Sequence, residues 1–338
     1  MLTEVLRIDP IAPEPDRIAR AAAILRDGGL VAFPTETVYG LGADALNPSA
    51  VAGIFAAKGR PSNNPLIVHV PDVADAAQLA GDWPSVANLL AARWWPGPLT
   101  LVVQTSPRVP DLVTAGGPTV ALRVPAHPVA LALLRATAGP LAAPSANRSS
   151  SLSPTQADHV LHGLRGRIRL ILDAGPAPGG LESTVLDVTT APPRLLRPGL
   201  VTQSEIEAAI GPVARYDTTS QAGQALRSPG QLTRHYAPRA PLECVNDDGE
   251  SRVRQLQQQG LRVGWLVFGE NPEQRQPAAI TLVMPRDPVQ YAAQLYAALH
   301  TLDLAGVDRM VVELPPPTDK WLAVRDRLHR GSGQWRLA

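Results

Sequence analysis

The stretch DRIARAAAILRDGGLVAFPTETVYGLG, residues 16–42, decides the architecture. Over residues 16–26 apolar side chains recur at helical spacing, and Gly28-Gly29 supplies the stop. Residues 30–33 then read as a short buried strand, followed by a polar turn. The chain repeats this unit. Helices are predicted over 49–57, 85–94, 129–138 and 155–164, and strands over 66–70, 99–104, 120–124, 141–143, 170–173 and 183–188. Thr202 with Glu205 makes a capping box for a helix over 203–210. Residues 1–210 therefore read as one α/β domain. Residues 211–241 lose hydrophobic periodicity and collect Pro, Gly, Ser and Thr around SPGQLTRHYAPRAP, which predicts a linker. Over 242–338, strands at 262–267, 280–284 and 310–314 alternate with helices at 252–259, 289–304 and 321–330. That order predicts a smaller, mostly parallel, doubly wound (Rossmann-like) α/β domain.

Composition excludes several classes of protein. In 338 residues, Gly (27) and Pro (35) together stay below the level of a low-complexity chain. Lys plus Arg number 31 against 30 Asp plus Glu, so the net charge of +1 gives no strong field toward nucleic acid. One cysteine, Cys244, excludes an internal disulfide framework and a multi-cysteine zinc cage, and suits a reducing compartment. No signal peptide or membrane span is visible in the sequence, so a cytoplasmic protein with no membrane partner is expected. Lys58 and Lys320 are the only lysines among many arginines, which singles out Lys58. Phosphate-loop, G-x-G-x-x-G, H-E-x-x-H and G-x-S-x-G motifs are all missing.

Five polar clusters remain, each beside a buried strand. Thr35 and Thr37 follow the strand ending at Phe33, in an ordinary turn or at a ligand-binding strand end. Lys58-Gly59-Arg60-Pro61-Ser62 pairs a point charge with a guanidinium fork, suited to a polyphosphate, or else complements a helix dipole in solvent. His69, within an apolar strand, has a structural reading as well as a functional one. Arg123 interrupts another apolar strand, so it needs an anionic partner: Asp44 or Glu182 within the protein, or a ligand carboxylate. The Ser-rich run from Ser145 to Ser153 is a plain loop or an anion site before a helix. Ser183 opens one strand, and Arg197 closes another.

PTETVYGLGADA, KGRPSNNPLIVHV, WPGPLTLV, VALRVPAHP, APSANRSS, ESTVLDV and RLLRPG, in this order over residues 12–210, resemble the YrdC-domain family, the threonylcarbamoyl-AMP synthases. SPGQLTRHYAPRAP and the α/β unit after it resemble the linker and C-terminal domain of that family's long, two-domain form. The resemblance implies a twisted, mixed α/β sheet with a large concave cavity. It also implies an L-threonylcarbamoyladenylate synthase, a nucleotidyltransferase that makes L-threonylcarbamoyl-AMP and pyrophosphate from L-threonine, bicarbonate or CO₂, and ATP. The product would supply the threonylcarbamoyl-transferase machinery acting on tRNA.

Carried over by motif, Lys58 and Arg60 are the expected catalytic cations on the ATP phosphates. Ser62, Thr119, Ser145, Asn147, Ser153, Arg197 and Tyr236 are expected around the nucleotide. Thr35, His69, Arg123, Ala143 and Ser183 are expected around L-threonine, with Arg123 on its carboxylate. Mg²⁺ is expected to arrive with ATP, and no protein metal ligand is assigned. His235 and Tyr236, beside Arg234, are the expected closing contacts of a linker lid, the alternative being a plain tether. The segment 315–321 lacks the glycine-rich turn common before the last helix of the family, which leaves the role of the C-terminal domain open.

Two rival readings stand beside this one. An RNA-binding module of the same fold would need a basic stretch interleaved with aromatics, and aromatic residues make up only 4% of the chain. Weak RNA binding remains a possible partner function. A carbamoyl-phosphate-using hydrogenase maturation enzyme shares the domain type, but its usual zinc fingers need several cysteines.

Overall fold

The computed structural model describes residues 2–215, 235–246, 248–269 and 278–333. They form two compact units. The first holds the chain up to Ser149, Pro154–Pro178 and the stretch beginning at Glu182; the second holds Ser150–Ser153, Gly179–Leu181 and the C-terminal part.

In the first unit the chain runs β1 (Glu4–Arg7), α1 (Pro15–Arg26), β2 (Val31–Phe33), β3 (Gly40–Asp44), α2 (Pro48–Lys58) and β4 (Ile67–His69). It continues through α3 (Val73–Leu79), β5 (Ala80–Asp82), α4 (Ser85–Trp94), β6 (Leu99–Thr105), α5 (Asp111–Thr114), β7 (Thr119–Arg123) and α6 (Pro128–Thr137). It ends with β8 (Leu141–Ala142), α7 (Ala157–Leu164), β9 (Leu170–Asp173), β10 (Thr184–Asp187), β11 (Arg194–Arg197) and α8 (Gln203–Ile210). The strands make one mixed sheet in the order β1-β9-β2-β3-β8-β4-β7-β6-β10-β11, with β5 on β6. Register is set by burial. Ile67 pairs with Ala121 and His69 with Arg123 across parallel β4 and β7, while Val102 pairs with Ala121 across antiparallel β6 and β7.

Alternation along these strands separates two faces. Val68, Leu101, Leu122, Leu186 and Leu195 enter the large core with α2, α7 and α8. On the opposite face, Val31, Phe33, Leu141 and Ala143 pack with Ile18, Ala21, Ala22 and Leu25 of α1 and with α6. A further small apolar cluster, Ile67, Val102, Ala121, Val185 and Leu196, lies beside it. Polar residues surround it.

The elements around α1, α4, α8 and β9 follow the sequence pattern, and the capping box on α8 is formed. The polar stretch after Phe33 differs: Gly40–Asp44 is a strand, antiparallel to β2 and β8. Two glycines in five residues hide it, since glycine is a poor strand former. Packing requires one of them, because a Cβ on Gly42 would lie 2.8 Å from the Phe33 ring. The edge strand β1, the short β5, and α3 and α5 also carry too little periodicity to be read. The helix expected from Thr155 begins at Ala157, with Gln156 as its N-cap.

In the second unit, β12 (Leu242–Val245), β13 (Val263–Phe268), β14 (Ile280–Met284) and β15 (Arg309–Glu313) form an all-parallel sheet in the order β12-β15-β13-β14. Helices α9 (Gly249–Gln258), α10 (Pro288–Leu304) and α11 (Leu322–Ser332) connect and flank them. Instead of a glycine turn before α11, a single 3₁₀ turn carries Trp321 into an aromatic cluster with Tyr291 and Phe268, at centroid distances of 5.4 and 5.3 Å.

Residues 235–241, expected in the linker, belong to this unit. Tyr236 is buried with φ +59°, in edge contact with His235 at 3.9 Å and with the Arg327 guanidinium 5.0 Å from its ring. Arg234 and residues 216–233 of the expected linker lie outside the described residues. Thr202→Ala should lower unfolding free energy by about 1 kcal/mol, because Thr202 Oγ1 accepts from Glu205 N and Glu205 Oε2 from Thr202 N. A urea midpoint equal to that of the parent chain would show the box to be idle.

Candidate functional site

Thr119, Ala121 and Arg123 project from one face of β7, because residues two apart share a face. His69 stands beside Arg123 on that face, and Thr100 and Val185 occupy paired positions on β6 and β10. The small apolar cluster is thus the floor of a polar surface. Thr119 sits four residues from Arg123, about 13 Å along an extended strand.

Arg123 is buried, and all three of its nitrogens are engaged. Nε donates to Gly97 O at 3.1 Å, Nη1 to Thr37 Oγ1 at 3.0 Å and Nη2 to Glu36 Oε1 at 2.5 Å. The protein partner is Glu36, which corrects the expectation of Asp44 or Glu182. Asp44 instead accepts from Leu46 N. A hydroxyl relay follows. Thr35 Oγ1 donates to Val38 O at 2.7 Å, so the 2.7 Å contact between the two threonines must be donated by Thr37, leaving Thr37 to accept from Arg123. Gly97 can approach because it has no Cβ, which would lie 2.3 Å from Trp94 O; its own N–H donates to Val124 O at 2.8 Å.

His69 is fully enclosed. Burial first, and then the Arg123 charge, push its pKa down to about 3, so the ring is neutral at neutral pH. Its Nδ1 has no hydrogen-bond partner among the described residues. His127 is also held below its ordinary value by burial, and its Nδ1 caps α6 by accepting from Val129 N at 3.2 Å.

Lys58 ends α2, where Gly59 takes the left-handed C-cap with φ +62°. The lysine is only 2% exposed, which excludes a solvated dipole complement. Its Nζ donates to Ser145 O at 2.5 Å, Asn147 O at 2.6 Å and Asn147 Oδ1 at 3.4 Å, and Ser149 N returns a bond to Lys58 O at 2.9 Å. The 144–149 loop is thereby fastened to the end of α2. Burial, then Arg60, then Arg148 hold the ammonium well below its ordinary pKa. Arg60 donates to Asn64 O, Asn64 Oδ1 and Pro65 O, which shapes its own loop, while Ser62 stands exposed at the tip. Lys58 and Arg60 thus donate to neutral oxygens while Arg60 and Arg148 oppose the Lys58 charge, an arrangement that a polyanion stabilises.

Ser183 and Arg197 meet directly. Arg197 donates to Ser183 O from Nε at 3.0 Å and from Nη2 at 2.9 Å, and Nη2 also reaches Ser183 Oγ at 3.1 Å. Ser183 Oγ bonds Thr100 Oγ1 at 2.7 Å. Gly199 allows the approach, since a Cβ there would lie 2.3 Å from Thr184 N. The next carbonyl after Gly97, Pro98 O, accepts from Thr184 N, so the Trp-Pro-Gly-Pro segment ties Ser183 to Arg123.

The first unit therefore assembles two groups from the sequence candidates: Thr35, His69, Arg123 and Ser183 with its clasp Arg197, and Lys58 with Ser145 and Asn147. Ala143 adjoins β4 through its N–H to Ile67 O, and Gly40 bridges Ser145. Ser153, His235 and Tyr236 belong to the second unit, so the Ser-rich run is divided at Ser149. Sequence reading missed Glu36, Thr100 and Gly97. The acid in PTET was the available signal, since a buried arginine needs one nearby. Among the described residues no group of three or more His, Cys, Asp or Glu could hold a metal, and no helix is long and apolar enough to cross a membrane.

Residues 23–199 match the Sua5/YciO/YrdC family model, described as telomere recombination, and residues 201–333 match the model of the threonylcarbamoyl-AMP synthase C-terminal domain. The chain belongs to the Sua5/YciO/YrdC family. A Bacillus subtilis member, named threonylcarbamoyl-AMP synthase, is 45% identical over 96% of this chain and 95% of its own. A Pyrococcus abyssi member of the same name is 42% identical over 94% of each. The solved structure of P. abyssi Sua5 complexed with L-threonine superposes with a TM-score of 0.92 at 40% identity, covering 98% of both chains. The mixed sheet and the parallel second sheet are thus the architecture of the two-domain members of this family.

The neutral His69 makes stability depend on pH. Between about pH 6.5 and the folded value of about 3, the unfolded chain takes up a proton that the folded protein refuses, so stability falls as pH falls, by about 1.4 kcal/mol per unit. Urea melts should show His69→Asn losing less stability than the parent chain between about pH 7 and about pH 5. Parallel losses in the two proteins would remove His69 as a cause.

Proposed function

We propose that this chain is a threonylcarbamoyl-AMP synthase that joins L-threonine, bicarbonate or CO₂, and ATP into L-threonylcarbamoyl-AMP and pyrophosphate. The observation that carries the reading is the end-to-end likeness to a structure complexed with L-threonine, supported by a buried guanidinium at Arg123 and a group of cations at Lys58. In this reading Arg123 takes the threonine carboxylate, and Thr35, His69, Ala143 and Ser183 surround the amino acid. Lys58 and Arg60 face the phosphates. Ser62, Thr119, Ser145, Asn147 and Arg197 contribute to nucleotide binding.

No protein nucleophile is required. A carbamate formed on the threonine amine attacks the α-phosphorus of ATP through an oxygen, and pyrophosphate leaves. Both reactants are anions, so the cations lower the barrier by holding them together and by stabilising charge on the departing pyrophosphate. Among the described residues the Lys58 region offers cations and carbonyls and no carboxylate cluster, a donor set that does not fit a resident metal. Mg²⁺ would enter on the oxygens of ATP itself. The product would serve threonylcarbamoyl transfer to tRNA.

Pyrophosphate release measured with and without L-threonine and bicarbonate tests the reading. Release should require threonine, and Lys58→Ala or Arg123→Ala should lower it by about 10²–10³-fold, with thermal melts run in parallel to verify folding. Release independent of threonine would leave a nucleotide hydrolase. Steeply salt-dependent RNA binding without turnover would leave an RNA-binding module.

A further inference from the structure

Glu36 has no role in the reaction as set out above. Its carboxylate forms a buried ion pair with Arg123, the two side chains being 14% and 4% exposed. Such a pair is a poor source of stability, because desolvation of both charges offsets their attraction. Only one carboxylate oxygen takes part. Glu36 Oε2 is buried and accepts no hydrogen bond among the described residues. Arg123 meanwhile spends Nε on Gly97 O and Nη1 on the threonine relay, so Glu36 is its one ionic partner there. His69 adds no positive charge, being neutral.

A guanidinium and a carboxylate side by side are the electrostatic complement of an α-amino acid, whose own carboxylate and ammonium are separated by a single carbon. A substrate carboxylate placed alone on Arg123 would put two anions on one cation. A zwitterion brings its own compensation, since its ammonium falls beside Glu36. An ammonium also offers three N–H donors, which suits an acceptor with nothing to accept.

Resting on the synthase reading, we infer that Glu36 receives the α-ammonium of the amino-acid substrate and removes its proton. One N–H bond breaks and one O–H bond forms on Glu36 Oε2, leaving a neutral carboxylic acid and a neutral amine with a free lone pair. That amine and bicarbonate then give the carbamate and water, so charge and atoms balance. Glu36 thereby selects an amino acid over a hydroxy acid and supplies the nucleophilic form of the amine at neutral pH.

The test compares the full-length parent chain with Glu36→Gln and Glu36→Asp in threonine-dependent pyrophosphate release, from about pH 7 to about pH 10. Glu36→Gln should reduce kcat/KM for threonine by about 10²-fold near neutral pH, recover as solution pH deprotonates the free amine, and leave the KM for ATP unchanged. Glu36→Asp should retain most of the activity. Calorimetry with L-threonine and with 2,3-dihydroxybutanoate, which has a hydroxyl in place of the amine, should show a preference in the parent chain that Glu36→Gln loses. An equal loss at every pH, with both ligands weakened alike, would reduce Glu36 to an anchor for Arg123 and overturn the inference, as would unchanged activity in Glu36→Gln. Threonine-independent release by the parent chain would instead overturn the synthase reading, and this inference with it.

Discussion

A guanidinium removed from water must be met by acceptors on every side, and Arg123 satisfies that requirement with groups from distant parts of the chain. Glu36 and Thr37 come from the turn after β2, Gly97 from the segment before β6, and His69 stands alongside on β4. Removing one member of a buried ion pair typically costs about 3–5 kcal/mol, because the survivor keeps its charge without a partner. The cost of misplacing any of these segments therefore falls on the same group. The hydroxyl relay from Arg123 through Thr37 to Thr35 extends that order to a side chain with no charge of its own.

The lysine end of the site obeys a different constraint. Lys58 is stabilised by carbonyl dipoles, and its neighbours Arg60 and Arg148 oppose its charge. The resulting region is short of negative charge while its loops are already fastened by Ser149 N and by the lysine itself. Electrostatic pre-organisation of this kind is useful in catalysis because the donors and charges need not reorganise as charge develops on a substrate. In the proposed function, the paired charges near Arg123 suit a zwitterion and the like charges near Lys58 suit a polyanion.

Glycine is decisive around Arg123 and Ser183. Gly97 and Gly199 lie where a Cβ would collide with Trp94 O and Thr184 N, so the backbone itself comes close enough to accept from Arg123 and to seat Ser183. Neither glycine carries chemistry. Both are read correctly only once the neighbouring strand is known.

Periodicity by itself determined the α/β character, the boundaries of α4, β9, β14 and α8, and the parallel arrangement of the second sheet, because these depend on spacing between near neighbours. It also singled out His69 and Arg123, since a polar group within an apolar run must have a partner or a purpose, while the scarcity of lysine singled out Lys58. The partners themselves were beyond its reach. Glu36 stands 87 residues from Arg123 and Ser145 stands 87 from Lys58, and no local pattern relates residues so far apart. Strand β3 was hidden by its glycines, and His235 and Tyr236 looked like linker until the second unit enclosed them. Tertiary structure decided these points because burial and charge pairing are settled by what the folded chain brings into contact, whereas spacing reports only what each segment can do alone.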